Sequence, residues 1–271
     1  MHRQALASFL TLGACLLQTR GHSHLEIVYR QNRLSLVHLD FDEGESNPDA
    51  VVLTVGSSAA RPIPDVPAFT ELLGEAGATI WILPESSSPD LLWLGIGNGS
   101  LLATDFAGPI TLSLHSVDGP GHFALFRNDA FGSPLIRMNS RDGVDSTDSV
   151  SMPLGSHIHG NWAFSAPGTY RVKLTASGTL RATGAGIAST PTVFHFEVEP
   201  PPSPVLAMTL SETNTLRFTL RARPGLNYRI ESSDAFSEWV RLTDLHAADP
   251  FVTHSLPFPS APFRFFRARF R

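Results

Sequence analysis

The chain has 271 residues, 42% of them hydrophobic, with 20 Lys+Arg against 25 Asp+Glu and a formal net charge of −5. That size and apolar content suit one or two globular domains with a substantial core. The acidic balance, and the dilute, regularly spaced arginines of the net-basic residues 201–271, exclude a nucleic-acid-binding arm.

Taken in chain order, residues 1–21 read as an export signal. Arg3 supplies a basic start, Ala5 to Leu17 an apolar run, and small residues precede a cut after Gly21. The only cysteine, Cys15, lies in this segment, so cleavage after Gly21 leaves neither disulfides nor thiolate metal sites. Leu12-Gly13-Ala14-Cys15 also resembles a lipoprotein processing box, which gives an alternative with a lipid anchor at Cys15. No later segment approaches the roughly 20 apolar residues of a transmembrane span.

From His22 the pattern is a hairpin, with HSHLEIVYR and LSLVHLDFD joined around Gln31-Asn32. A two-residue loop would pair Arg30 with Arg33 and set Leu25 opposite His38. A three-residue loop pairs Arg30 with Leu34, sets Leu25 opposite Leu39, and collects Leu25, Ile27, Tyr29, Val37, Leu39 and Phe41 on one apolar face. The second register is preferred because register follows the buried face. It places His22, His24, Glu26, His38, Asp40 and Asp42 together on the other face.

Further strands are expected at Val51–Val55, 78–84, 110–119, 122–129, Thr169–Leu174 and 193–199, with a short helix around Pro67–Gly74. Residues 200–204, Pro-Pro-Pro-Ser-Pro, form a stiff extended linker. Strands at Val205–Leu210, Leu216–Ala222, Tyr228–Ser232, Trp239–Leu242 and Phe263–Phe270 make a small β-module over 205–271. Gly and Pro, 21 each, make the chain turn-rich, and no long amphipathic helix follows residue 30. The fold class is therefore all-β: an immunoglobulin-like β-sandwich over 22–199, then the module.

The chemistry concentrates in histidine. His22/His24 and His157/His159 are both His-x-His pairs, and residues two apart on a strand project from one face. Two such pairs with acidic neighbours offer three to five N/O ligands, suited to Zn²⁺ first and Cu²⁺ second. His38 and Asp40 are further candidate ligands. Cleavage after Gly21 would also free the amine of His22, and a terminal histidine with a distant one is the arrangement of copper oxygenases. Hydrolase signatures are absent: there is no Gly-x-Ser-x-Gly elbow and no Gly-rich phosphate loop before a helix. His115, His122 and His195 are assigned to packing or surface, and Trp81 and Trp93 to the core.

Several blocks taken together resemble one family. They are GHSHLEIVY with LSLVHLDFDE; IWILPESSSPDLLWLGIG; ITLSLHSVDGPGHFALFRNDAFGSPLIRMNSRDG; and PLGSHIHGNWAFSAPGTYRVKLTASGTL. They are similar to the surface-anchored repeat domain of choice-of-anchor M exported proteins, over about residues 21–199. Such proteins often accompany predicted metal-type ABC transporters. The family's Gly-His-x-Asp start is matched by Gly21 to His24, with His24 in place of Asp. Its Gly-x-His-x-His-x-Asn-Trp block is matched by Gly155 to Trp162. The family often has more histidines in its second strand than His38 alone. This chain lacks the sortase signal or membrane tail many members carry. The resemblance implies a non-catalytic envelope or secreted protein that holds metal for an uptake system or another envelope protein. In that reading Asn161 and Trp162 support the histidine ligands. The competing expectation is a surface interaction or adhesion module whose histidines are structural.

Overall fold

The computed structural model describes residues 17–19, 21–210, 215–257 and 265–271. Cys15 and nearly all of the export-signal reading lie outside the described residues. The expected all-β architecture is present. Among the described residues the one α-helix is Pro67–Leu73, where the sequence placed it, and none is long and apolar enough to cross a membrane.

Three sheets build the first part of the molecule. The largest runs in the order Leu17–Thr19, Val51–Val55, Thr192–Val198, Gly168–Thr179, Ile110–Asp118, Ser149–Met152, with Gly186–Ala188 also on Gly168–Thr179. A second five-stranded sheet is ordered Pro134–Asn139, Phe123–Asn128, Asn161–Phe164, Thr79–Leu83, Ala60–Pro62. The third is ordered His157–His159, Trp93–Gly97, His22–Arg30, Arg33–Asp40, Gly44–Ser46. These sheets pack as a β-sandwich around one core. Leu25, Ile27, Leu94, Ile96, Phe123, Trp162, Phe164, Tyr170, Val172 and Phe196 are all in it. Burial alternates along Gly168–Thr179 and Thr192–Val198, as sandwich packing requires, whereas Thr79–Leu83 and Asn161–Phe164 are buried throughout.

The first hairpin corrects the preferred register. Arg30 pairs with Arg33 and Leu25 with His38. Gln31 and Asn32 both have positive φ, 51° and 60°, the two-residue turn whose twist matches that of the strands. A one-residue slip exchanges faces. The core side therefore carries Ser23, Leu25, Ile27, Leu34, Leu36, His38 and Asp40, and the other side carries His22, His24, Glu26 and Phe41. Apolar alternation could not decide the register, because residues Ser23–Val28 are buried in an unbroken run, whichever face they take.

The C-terminal strands form two three-stranded sheets: Val205–Leu210, Thr215–Arg221, Phe251–Pro257, and Val240–His246, Asn227–Ser233, Phe265–Phe270. Phe251–Pro257 was not expected. This module is docked on the sandwich: Leu220, Leu226, Tyr228 and Ala247 belong to the same buried cluster as Trp162 and Phe196. Thr79 N–H donates to the Arg271 carbonyl at 2.6 Å, and Asn227 Nδ2 donates to the Gly77 carbonyl at 2.9 Å.

Candidate metal centre

Three strands of the third sheet bring the two His-x-His pairs together. The central strand, Trp93–Gly97, pairs in parallel with His22–Arg30 and antiparallel with His157–His159. The register sets His24, Gly95 and His159 in one row across the sheet. The next row is Glu26, Gly97 and His157, and the row on the other side opens with His22 beside Trp93.

The two glycines make the convergence sterically feasible. A Cβ on Gly95 would stand 2.5 Å from His24 Cδ2 and 2.9 Å from His159 Cε1. A Cβ on Gly97 would collide with the Glu26 carboxylate and stand 3.0 Å from His24 Nδ1. Imidazoles from both flanking strands therefore lean over a central strand with no side chains at those points.

The result is a cluster of His22, His24 and His159 whose ligand nitrogens all lie within 4.8 Å of one another. His22 Nε2 and His24 Nε2 are 3.2 Å apart. Nitrogens bound at about 2.05 Å to one tetrahedral ion lie ~3.3 Å apart, so this pair already has ligand spacing. His157 stands at the rim, exposed, with its ring 5.3 Å from that of His24 and 5.8 Å from that of His159.

Aromatic side chains box the cluster. Trp93 stacks on His159 at 4.0 Å and on His22 at 4.3 Å between ring centroids. Phe41 stacks on His22 at 4.2 Å. Glu26, buried, receives the Gly99 N–H at 2.8 Å and places Oε2 3.6 Å from His24 Nδ1. A carboxylate on the Nδ1 side of a histidine is the usual support of a metal-binding imidazole, and here it leaves Nε2 as the atom that faces His22.

Burial and neighbouring imidazoles favour the neutral form of two of these rings, His159 and His22. Burial pushes the His159 imidazole down to about 4, helped by the neighbouring His24, His22 and His157; the Leu94 backbone pulls the other way too weakly to reverse it. Neither His159 nitrogen has a partner in hydrogen-bonding geometry. His22 is also lowered, first by burial and then by His24 and His157, with Asp40 opposing. A neutral imidazole that is buried with neither nitrogen partnered, as at His159, is the state a cation requires.

The remaining expected site residues separate. His38 and Asp40 project from the opposite face, the consequence of the two-residue turn. His38 is 1% exposed with neither nitrogen hydrogen-bonded, and burial lowers its pKa. Asp40 Oδ1 is occupied by the backbone N–H groups of Asp42 and Glu43. Trp162 is a core residue whose indole donates to the Leu94 carbonyl at 3.2 Å, fixing the central strand. Asn161 Oδ1 receives the Glu85 N–H at 3.1 Å, and the Glu85 carbonyl receives the Trp93 indole at 3.1 Å. Asn161 thus reaches the imidazoles through Glu85 and Trp93.

No protein-family model matches this chain, and no curated protein matches its sequence.

Trp93, Phe41, Gly95 and Gly97 went unrecognised as site residues. Gly95-Ile96-Gly97 was the available signal, since two glycines at alternate positions of an apolar strand mark close approach by other groups. Asn98 completes the frame. It is fully buried, its Oδ1 accepts from Ser156 N–H and its Nδ2 donates to the Pro153 carbonyl, which ties the start of His157–His159 to the end of the central strand.

Proposed function

We propose that this chain is an exported, non-catalytic metal-binding protein of the cell envelope that takes Zn²⁺ or Cu²⁺ at His22, His24 and His159. The observation that carries the reading is the row His24–Gly95–His159: two histidines some 135 residues apart in sequence lean over a glycine. The donor set is all imidazole, which suits zinc and copper and is poorly matched to Ca²⁺ or Mg²⁺, which require oxygen ligands. The motif resemblance to choice-of-anchor M proteins agrees with this and suggests that the ion is held for an uptake system.

The test is a titration of chelator-stripped protein with Zn²⁺ and, separately, Cu²⁺. Stoichiometric binding at micromolar affinity or tighter is expected, and a loss of at least about tenfold in His159→Ala. Wild-type protein that binds neither ion would refute the proposal and leave the histidines structural.

A further inference from the structure

His157 differs from the other three histidines in ways that suit a different task. It shares a strand face with His159, yet its nitrogens lie outside the 4.8 Å group formed by His22, His24 and His159. It is exposed, whereas His24 is 4% exposed and both His159 nitrogens are buried. Its ring is nearly parallel to that of His24, at 25°, with 5.3 Å between centroids. Trp93 and Phe41 stack on rings of the cluster, His22 between them. The row containing His157 opens differently: beyond Gly97, which has no side chain, stands the buried Glu26 carboxylate.

We infer that His157 is the entry and exit ligand of the site: it captures a hydrated divalent cation at the surface and hands it to His22, His24 and His159. The inference rests on the metal-binding reading above. In the first step the His157 nitrogen replaces one water on the ion. His24 then adds through Nε2, giving up its 3.2 Å contact with His22 Nε2 for the ion, while Glu26 Oε2 stands 3.6 Å from Nδ1. Zn²⁺ imposes no d-electron geometry and tolerates a fifth ligand, so an imidazole can join before another leaves. His159 and His22 next displace water, and His157 dissociates. The coordination number rises by one when His24 adds and falls by one when His157 leaves, the other steps exchange a water for an imidazole, and no electron or proton is transferred to the ion. The resident site is three imidazoles plus a water. Release runs the same path backwards, so His157 accelerates both directions without setting the equilibrium.

Stopped-flow mixing of metal-free protein with Zn²⁺, and of loaded protein with excess fluorescent chelator, gives both rate constants. In His157→Ala both the association and dissociation rates are expected to fall about tenfold, with Kd within about threefold of wild type. His157→Asn, polar but a weak ligand, should behave like the alanine variant. His159→Ala should instead weaken Kd by at least about tenfold. A His157→Ala protein with Kd weakened tenfold and an unchanged association rate would make His157 a resident ligand and overturn the inference. Rates indistinguishable from wild type would overturn it too. Failure of the wild type to bind Zn²⁺ is a separate outcome, which would remove the metal reading itself.

Discussion

At the scale of single residues, the site depends as much on what is missing as on what is present. Gly95 is the clearest case, since any side chain there occupies the space where His24 and His159 approach each other. Gly95→Ala is expected to leave the fold intact, because Ala is tolerated in a strand at least as well as Gly. It should weaken Zn²⁺ binding by at least about tenfold, read by competition with a chromophoric chelator. Unchanged affinity would show that the imidazoles do not need that gap. The titration behaviour of His159 gives a second prediction. In the folded protein its imidazole stays neutral down to about 4, whereas in the unfolded chain it takes a proton near 6.5. The unfolded state therefore binds more protons between those values, so stability falls as pH drops from 6.5 towards 4 and this contribution levels off below. The His159 Cε1–H resonance should stay put through pH 6.5 and move with a midpoint near 4. A midpoint at the ordinary histidine value would contradict the burial argument.

At the scale of elements, the first hairpin decides which histidines can meet. The two-residue turn turns His38 and Asp40 to the core side, away from His22 and His24. His38→Leu should therefore keep full metal affinity. It removes two buried ring nitrogens that have no hydrogen-bond partner, so stability should be equal to wild type or higher by about 1–2 kcal/mol in urea denaturation. Loss of metal binding in that variant would restore His38 to the site. The same hairpin shows where sequence reasoning stopped. The spacing of His22/His24 and of His157/His159 was enough to place each pair on one strand face. Strand positions such as Val51–Val55 and the helix at Pro67–Leu73 were likewise legible from local pattern. The register was not, because the strand is buried on both faces. The meeting of the pairs was not legible either, since it depends on Trp93–Gly97 lying between two strands remote from it in sequence. Trp93 itself was assigned to the core, although its partly buried indole covers two imidazoles.

At the scale of the whole molecule, the Pro-rich stretch at 200–204 suggests a spacer, but the module beyond it is packed against the sandwich. Leu220, Leu226 and Tyr228 share the central buried cluster, and Arg223 donates through its guanidinium to the Ser57 and Ser58 carbonyls. A protein ending at residue 199 should consequently expose an apolar patch, melt at a lower temperature and bind a hydrophobic dye. An unchanged melting temperature would mean the two parts are independent. The site lies on the third sheet, whose strands belong wholly to the sandwich, so the shortened protein should still bind Zn²⁺.

The central claim is that three imidazoles from two distant segments share one ion, and X-ray absorption at the zinc edge of the loaded protein tests it most directly. The account predicts a four-coordinate shell of N/O ligands at about 2.0–2.1 Å, with the outer-shell scattering of three imidazoles and no sulfur. That scattering should be reduced in His159→Ala. A shell of oxygens alone, or one unchanged by removing His159, would contradict it.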